Sequence, residues 1–275
     1  SRDFTAHQYV QQVNQLDCEI KTHPFFDTNR YANTFGIEPN YGCCAANMHQ
    51  GWPKMMLTSV MKQDRSIAIF LYVSGKFKVD FDDGYIEFEM KTNYPFSQKV
   101  VIKILKMTQN ECPTLMLRIP YKANTLIKIN NECTTIQGKD DYELTGLKEH
   151  DEINLEFDFN VETIQNQDNT ISVKNGPLLL SMPIPHQEFY IKGNKPFHDR
   201  GYKALENHHV DLCTKHNKVI VKEEIVKEDN QSFHNNDYSL IVEGFDLDTK
   251  TNIDVKLIPY GFTLLRKTHF TRRSI

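Results

Sequence analysis

Long apolar runs are missing from this chain, and so is a surplus of charge of either sign. Its longest hydrophobic stretches fall far short of the roughly 20 residues that a bilayer-spanning helix requires. A formal net charge of −4, with acidic and basic residues interspersed, argues against a nucleic-acid or anionic-membrane surface. Six cysteines in 275 residues, without dense regular spacing, exclude a scaffold built from disulfides. Internal repeats and low-complexity tracts are absent as well. The opening "SRDFTAHQYV" has no Met, no basic segment leading into an apolar stretch and no signal-like cleavage site. Any targeting segment is therefore expected upstream of it. One sequon, Asn230–Ser232, is a thin pointer to an extracytoplasmic location, and the compartment is otherwise left open.

What is present divides near residue 64. Before it, "TAHQYVQQVNQLDCEI" and "CCAANMHQGWPKMMLTSVMK" have helix-compatible spacing, separated by a polar stretch with Pro24 and Pro39. Pro53 is expected to start or kink a helix. After Lys62 the reading is strand after strand. "SIAIFLYVSG" suits a buried strand. "KFKVDFDDGYIEFEM" predicts a hairpin, with Phe77, Val79 and Phe81 on one face, an Asp83–Gly84 turn, then Ile86, Phe88 and Met90.

Alternation returns in "KVVIKILK", "TLMLRIP", "TLIKIN" and "INLEFDF", the last with Ile153, Leu155, Phe157 and Phe159 in step. Further strands are predicted at "ISVKNGPLLLSM", "YSLIVEGF" and "NIDVKLIP". The stretch 187–235 reads as polar loop. The fold class is mainly β, antiparallel sandwiches behind a short helical segment. The expected units are 1–63 helical, 64–165 a first sandwich, and 166–275 a second sandwich or β region.

The stretch "NYGCCAANMHQGWPKMM" holds two adjacent cysteines and the single tryptophan. On spacing alone, Cys43 and Cys44 are more simply two small buried residues, or a strained vicinal disulfide, than a catalytic pair. His49 has a capping or core role open to it beside a place in a pocket. Trp52, next to Pro53, suits packing as well as stacking on a ligand. "NHHVDLCTKH" places His208, His209, Cys213 and His216 within nine residues. That spacing matches no standard zinc pattern, and a solvated edge is the expectation.

The stretch "NYGCCAANMHQGWPK", preceded by "AHQYVQQVNQ" and "FGIEPN", resembles the cysteine-pair motif of family 127 glycoside hydrolases, the β-L-arabinofuranosidase type. Downstream, "TNYPF", "LMLRIP", "ISVKNGPLLLSMPI" and "VKLIPYGFTLLRKTHF" follow in that family's order. The resemblance is densest over residues 6–56 and poor across 187–235. It implies an (α/α)6 barrel followed by β-sandwiches, and hydrolysis with retention by a cysteine nucleophile. It also implies a zinc ion held by three cysteines and a glutamate. Carried over, Cys43 is the nucleophile and a metal contact, and Cys44 is a metal ligand. His7, Tyr9, Glu38, His49 and Trp52 become candidate substrate-binding residues. The implied substrate is a terminal L-arabinofuranose or a related sugar on plant cell-wall glycans. A thiol with its ordinary pKa of roughly 8.5 is mostly protonated at neutral pH, and contact with zinc keeps it as the thiolate.

The sequence departs from the family at one point. The Glu-x-Cys element that completes the zinc site, and the acid/base glutamate, belong to barrel helices upstream of the pair. Only 42 residues precede Cys43, and none reproduces that element. Cys18 and Glu19 stand in the wrong order, and "NECP" and "NECT" lie downstream. Glu38 is the one nearby carboxylate for a substitute acid, though a loop carboxylate fixing the backbone before Pro39 is the plainer role. The expectation is the C-terminal portion of such an enzyme, or a degenerate copy, inactive alone and lacking its barrel partner. The alternative is a non-catalytic β-sandwich module, carbohydrate-binding or structural.

Overall fold

Period-two alternation becomes paired strands wherever one face can be buried. The structure, a computed structural model, describes residues 5–22, 26–108, 112–130, 132–206, 208–226 and 238–275. The expected hairpin is present: strand Gly75–Phe81 pairs with Gly84–Thr92 through a two-residue turn, Asp82–Asp83, one position earlier than the sequence suggests. Phe77 lies opposite Phe88 in the register, and their rings stack at 5.3 Å. Such directly opposed aromatic pairs are a main source of sheet stability. These strands belong to a six-stranded antiparallel sheet with Lys99–Met107, Glu152–Asp158, Asn124–Ile129 and Glu132–Ile136.

A four-stranded sheet covers it, made of Val60–Gln63, Ser66–Ile69, Thr114–Arg118 and Asp141–Leu144. Ile67, Ile69, Leu115 and Leu117 from this sheet meet Phe88, Met90, Ile102, Ile104, Ile153, Leu155 and Phe157 from the other in one core. The apolar run at 66–75 is shorter as a strand than expected. It ends at Ile69, buries only alternate residues, and leaves Phe70 exposed.

The second sandwich region is a ten-stranded sheet. Its centre is Leu178–Pro183, Thr251–Pro259, Tyr238–Asp246 and Val210–Lys215, around a core of Val173, Leu180, Leu212, Leu240, Val242, Leu257 and Phe270. Strand Val161–Gln165 pairs with Ile171–Asn175 and so belongs to this second sheet. The two units interlock there. Gly176, with φ +51°, carries the ring of Phe159 so close that a Cβ would lie 2.5 Å from it. Only glycine takes that backbone conformation without strain and leaves that space.

Two sequence expectations fail. Residues 5–20 are not helical: His7–Gln8 pairs with Phe35–Gly36, and Asp17–Cys18 pairs with Asp199–Ala204. The apparent helical period in "TAHQYVQQVNQ" is outweighed by polar side chains that find buried partners along an extended path. Nor is 187–235 loop as far as it is described. It holds strands His186–Lys192, Asp199–Ala204, Val210–Lys215, Lys218–Val219 and Val221–Val226. Residues 227–237, with the Asn230 sequon, lie outside the described residues. No described helix is long and apolar enough to cross a membrane.

Buried Arg266 fastens the amino-terminal segment to the second sandwich. Its Nε donates to the Gln12 carbonyl at 3.0 Å, Nη1 to Thr263 O at 3.1 Å and Nη2 to the Tyr260 hydroxyl at 2.8 Å. Gln15 pairs with Arg266 through both backbone groups, and Asn14 Oδ1 accepts from the amides of Thr268 and His269. Gly201 makes the neighbouring contact possible, since a Cβ there would stand 2.5 Å from the Cys18 carbonyl. Arg266→Ala is expected to cost about 3 kcal/mol, because several buried acceptors lose a charged donor together. In hydrogen exchange it should speed amides of residues 5–20 while those of the strands at 84–107 keep their protection.

Candidate functional site

The thiol pair sits at the start of a short helical segment. Tyr41 is the N-cap residue of helix Gly42–Asn47; a 3-10 turn, Met48–Gln50, leads into helix Gly51–Leu57. Pro53 lies in the first turn of the second helix, where its missing N–H has no intrahelical acceptor to lose. Neither α-helix buries a single residue. Helices this short are not stable in water by themselves and depend on packing of one face.

Cys43 and Cys44 are both exposed free thiols with their sulfurs 3.9 Å apart. The reading as small buried residues is thereby overturned, and the pair is not bonded as a disulfide, whose sulfurs stand about 2.05 Å apart. Asn47 Nδ2 donates to the Cys43 carbonyl at 2.7 Å and tightens the turn.

The amino-terminal segment reaches the pair from 35 residues away, with the Tyr9 hydroxyl 3.6 Å from Cys44 Sγ. The Tyr9 ring meets Tyr41 edge-on at 5.8 Å, and the Tyr41 hydroxyl donates to the Asp27 carbonyl at 2.9 Å. The hydrogen bond to Cys44, then partial burial, raise the Tyr9 phenol above its ordinary pKa, with the Asn40 side chain pulling the other way. A phenol that stays protonated is a donor to a neighbouring thiolate. Tyr41 was not singled out by sequence reasoning. Its place directly before Gly42 was the available signal.

The other candidates are less close. His7 lies in strand His7–Gln8, with its Nε2 buried and without a partner among the described residues; burial lowers its pKa. The Glu38 carboxyl lies against Gly42, where a Cβ would meet Oε1 at 2.5 Å. There a negative charge faces the first turn of a helix, a local role of the plainer kind. His49 sits in the exposed 3-10 turn, and Trp52 is 68 % exposed on the second helix. Both are exposed to solvent, contrary to a core role. Within the His208–His216 stretch Val210–Lys215 is a strand with Cys213 buried, while His209 and His216, outside it, are exposed, His209 facing Asp248 at 3.4 Å.

The implied zinc can be tested against this geometry. Two thiolates on one tetrahedral zinc, each about 2.3 Å from it, stand about 3.8 Å apart. The observed 3.9 Å fits two corners. No group of three or more His, Cys, Asp or Glu able to hold a metal occurs among the described residues. The residues present thus fit half of a site and do not complete one.

Thiol chemistry follows from exposure. With dithionitrobenzoate, Cys43, Cys44 and Cys133 should react fast, while Cys18 and Cys213 are shielded in the core. Burial pushes the Cys18 thiol up to about 12, adding to that protection. Tyr9→Phe removes the hydroxyl that lies against Cys44 Sγ and is expected to speed alkylation of Cys44 by about threefold, the size of one modest hydrogen bond. Mass-spectrometric rates for the two proteins check this, and an unchanged Cys44 rate would refute it.

Comparison with known proteins agrees with this architecture. Residues 66–159 match the model of the GH127 middle domain, described as beta-L-arabinofuranosidase. The match lies in the sandwich strands, downstream of the thiol pair. No curated protein matches the chain. A solved GH127 beta-L-arabinofuranosidase from Geobacillus stearothermophilus T6 is similar at TM-score 0.58 and 16 % identity, covering 85 % of this chain and 38 % of its own. A solved glycoside hydrolase is similar at TM-score 0.69 and 17 % identity, over 98 % of this chain and 44 % of its own. A GH127 beta-arabinofuranosidase is similar at TM-score 0.62 and 17 % identity, over 98 % and 41 %. This chain therefore spans about two fifths of the length of these structures. The resemblance to family 127 glycoside hydrolases holds through the family model over residues 66–159, and through the fold over nearly the whole chain.

Proposed function

We propose that this chain supplies the thiol pair and the supporting sandwiches of a retaining glycoside hydrolase acting on L-arabinofuranosides or related plant-glycan sugars. One observation carries the reading: two adjacent, exposed thiols on a helix, with a phenol hydroxyl 3.6 Å from one of them. In the reaction, Cys43 sulfur attacks the anomeric carbon as the bond to the leaving oxygen breaks, and an acid protonates that oxygen. Water, relieved of a proton by the same group, then displaces the sulfur. Two inversions return the original configuration. Tyr9 holds Cys44 in place beside the nucleophile. Zinc held by Cys43 and Cys44, with its other donors from elsewhere, would keep a thiol ionised at neutral pH.

The acid/base carboxylate and the remaining donors come from helical polypeptide other than the residues described. Exposed apolar side chains support this. Ile37, Met48, Trp52, Leu57, Met61 and Phe70 are exposed at or near the thiol-bearing helices, Leu57 at 79 %. Large apolar side chains left in solvent along one segment point to a face that is covered in the working protein. Alone, the chain is inactive and self-associates.

Fused behind the helical portion of a similar solved enzyme, the chain should hydrolyse an aryl β-L-arabinofuranoside. Cys43→Ser should then lower kcat/KM by at least about a thousandfold, as loss of a nucleophile does. A folded fusion that cleaves equally well with serine at this position would defeat the nucleophile assignment. By itself the chain should purify with well under one zinc per molecule. Light scattering should show association that Trp52→Lys with Leu57→Lys reduces; a monodisperse wild-type monomer would speak against a covered face.

A further inference from the structure

A cavity of about 200 Å³ lies where the two sandwiches meet, lined by Phe96, Gln98, Glu156, Phe159, Asn175 and Tyr238 among others. Asn175 ends strand Ile171–Asn175 and is 5 % exposed. Its Nδ2 donates to Glu224 Oε1 at 2.9 Å and to the Tyr238 hydroxyl at 2.8 Å. An ionised carboxylate only accepts, so the amide orientation is settled by Glu224. That leaves Asn175 Oδ1 buried with no donor among the described residues. An orphaned acceptor of this kind costs about 1–3 kcal/mol, and such groups persist where something else supplies the donor.

The rest of the lining suits a particular donor. Phe159 is held rigidly, against Gly176 and stacked on Phe157 at 5.8 Å, and Phe96 packs on Phe262 at 5.3 Å. Gln98 Oε1 accepts from the Phe159 amide at 3.3 Å, so its Nε2 hydrogens are turned elsewhere. Glu156 is exposed and adds an acceptor at the rim. Aromatic walls with both donors and acceptors match a ring that has an apolar C–H face and an edge of hydroxyls. A bare cation would leave the Gln98 donor unanswered. Drug-sized ligands occupy about 300–1,000 Å³, so this volume suits one small ring.

We infer that this junction cavity binds a single monosaccharide ring, with a hydroxyl donating to Asn175 Oδ1, another facing Glu156 and Gln98, and the ring's C–H face on Phe96. The site is distinct from the thiol pair and does not depend on the glycosidase reading.

An ¹⁵N NMR titration of the full chain with L-arabinose, D-galactose and tetramethylammonium chloride tests this. Saturable shifts are expected at the amides of Gln98, Phe159 and Asn175 with one of the sugars, at millimolar Kd, the range for so small a contact. Glu156→Ala should weaken binding about tenfold, equivalent to about 1.4 kcal/mol. Val226→Trp, at an exposed lining position, should abolish it with Tm unchanged. Cys43→Ser with Cys44→Ser should leave it intact, which separates this site from the catalytic proposal. No saturation by about 100 mM sugar, indifference to both lining variants, or tighter binding of tetramethylammonium than of either sugar would overturn the inference.

Discussion

A buried guanidinium with no carboxylate among its hydrogen-bond partners in the described residues anchors the amino-terminal segment of this protein. Arg266 is 2 % exposed, lies 4.0 Å over the Tyr260 ring, and spends its N–H groups on carbonyls, a hydroxyl and the Gln15 side chain. Burial lowers its pKa, but a guanidinium starts so high that it stays charged. A charge so placed persists only while every donor is answered. The path of residues 12–15 is therefore dictated by acceptors, not by helix propensity. Upstream of it the chain runs as the strand His7–Gln8 beside Phe35–Gly36, and Tyr9 lies against Cys44. The segment anchored at residue 266 is thus the one that brings a phenol beside residue 44.

The energetic character of the molecule changes across that contact. Both sandwiches are closed apolar cores, with Phe88, Phe157, Phe270 and Leu240 fully out of water. Burial at about 25 cal/mol per Å² of apolar surface is what holds those cores together. The helical segment at 42–57 has the reverse balance: no buried residue, a tryptophan in solvent, and support mainly from its own short-range hydrogen bonds. The sandwiches are held by buried apolar surface, and the segment that carries the thiol pair is not.

This division also explains what the sequence disclosed. Strands at 75–107 and 152–158 were legible because one face is apolar and one wet, so the period of two is written in the side chains themselves. Segments that bury polar groups were not. Gln8, Gln15 and Asn33 are buried, with partners such as Asn33 O for Gln8 and Leu264 O for Gln15, 25 and 249 residues away. Nothing local marks them as interior. Likewise Asp211 and Thr214 are buried in a strand that reads as polar loop, beside Lys267, whose Nζ donates to the carbonyls of His208 and Val210. The thiol pair was legible as a motif, but its exposure was not, because exposure depends on what covers a helix rather than on the helix.

Adjacent thiols carry an obvious hazard, which is oxidation to one another. Here the helix guards against it. Carried side by side in the first turn, the sulfurs are held 3.9 Å apart, and closing them to a bond of about 2.05 Å requires the backbone between them to leave helical geometry. The protection is only as strong as the helix. With no face buried, that helix has little to resist unwinding. Covering the apolar side chains of residues 48–61 would therefore do more than complete a pocket. It would hold the two sulfurs at their helical spacing and keep both of them reduced.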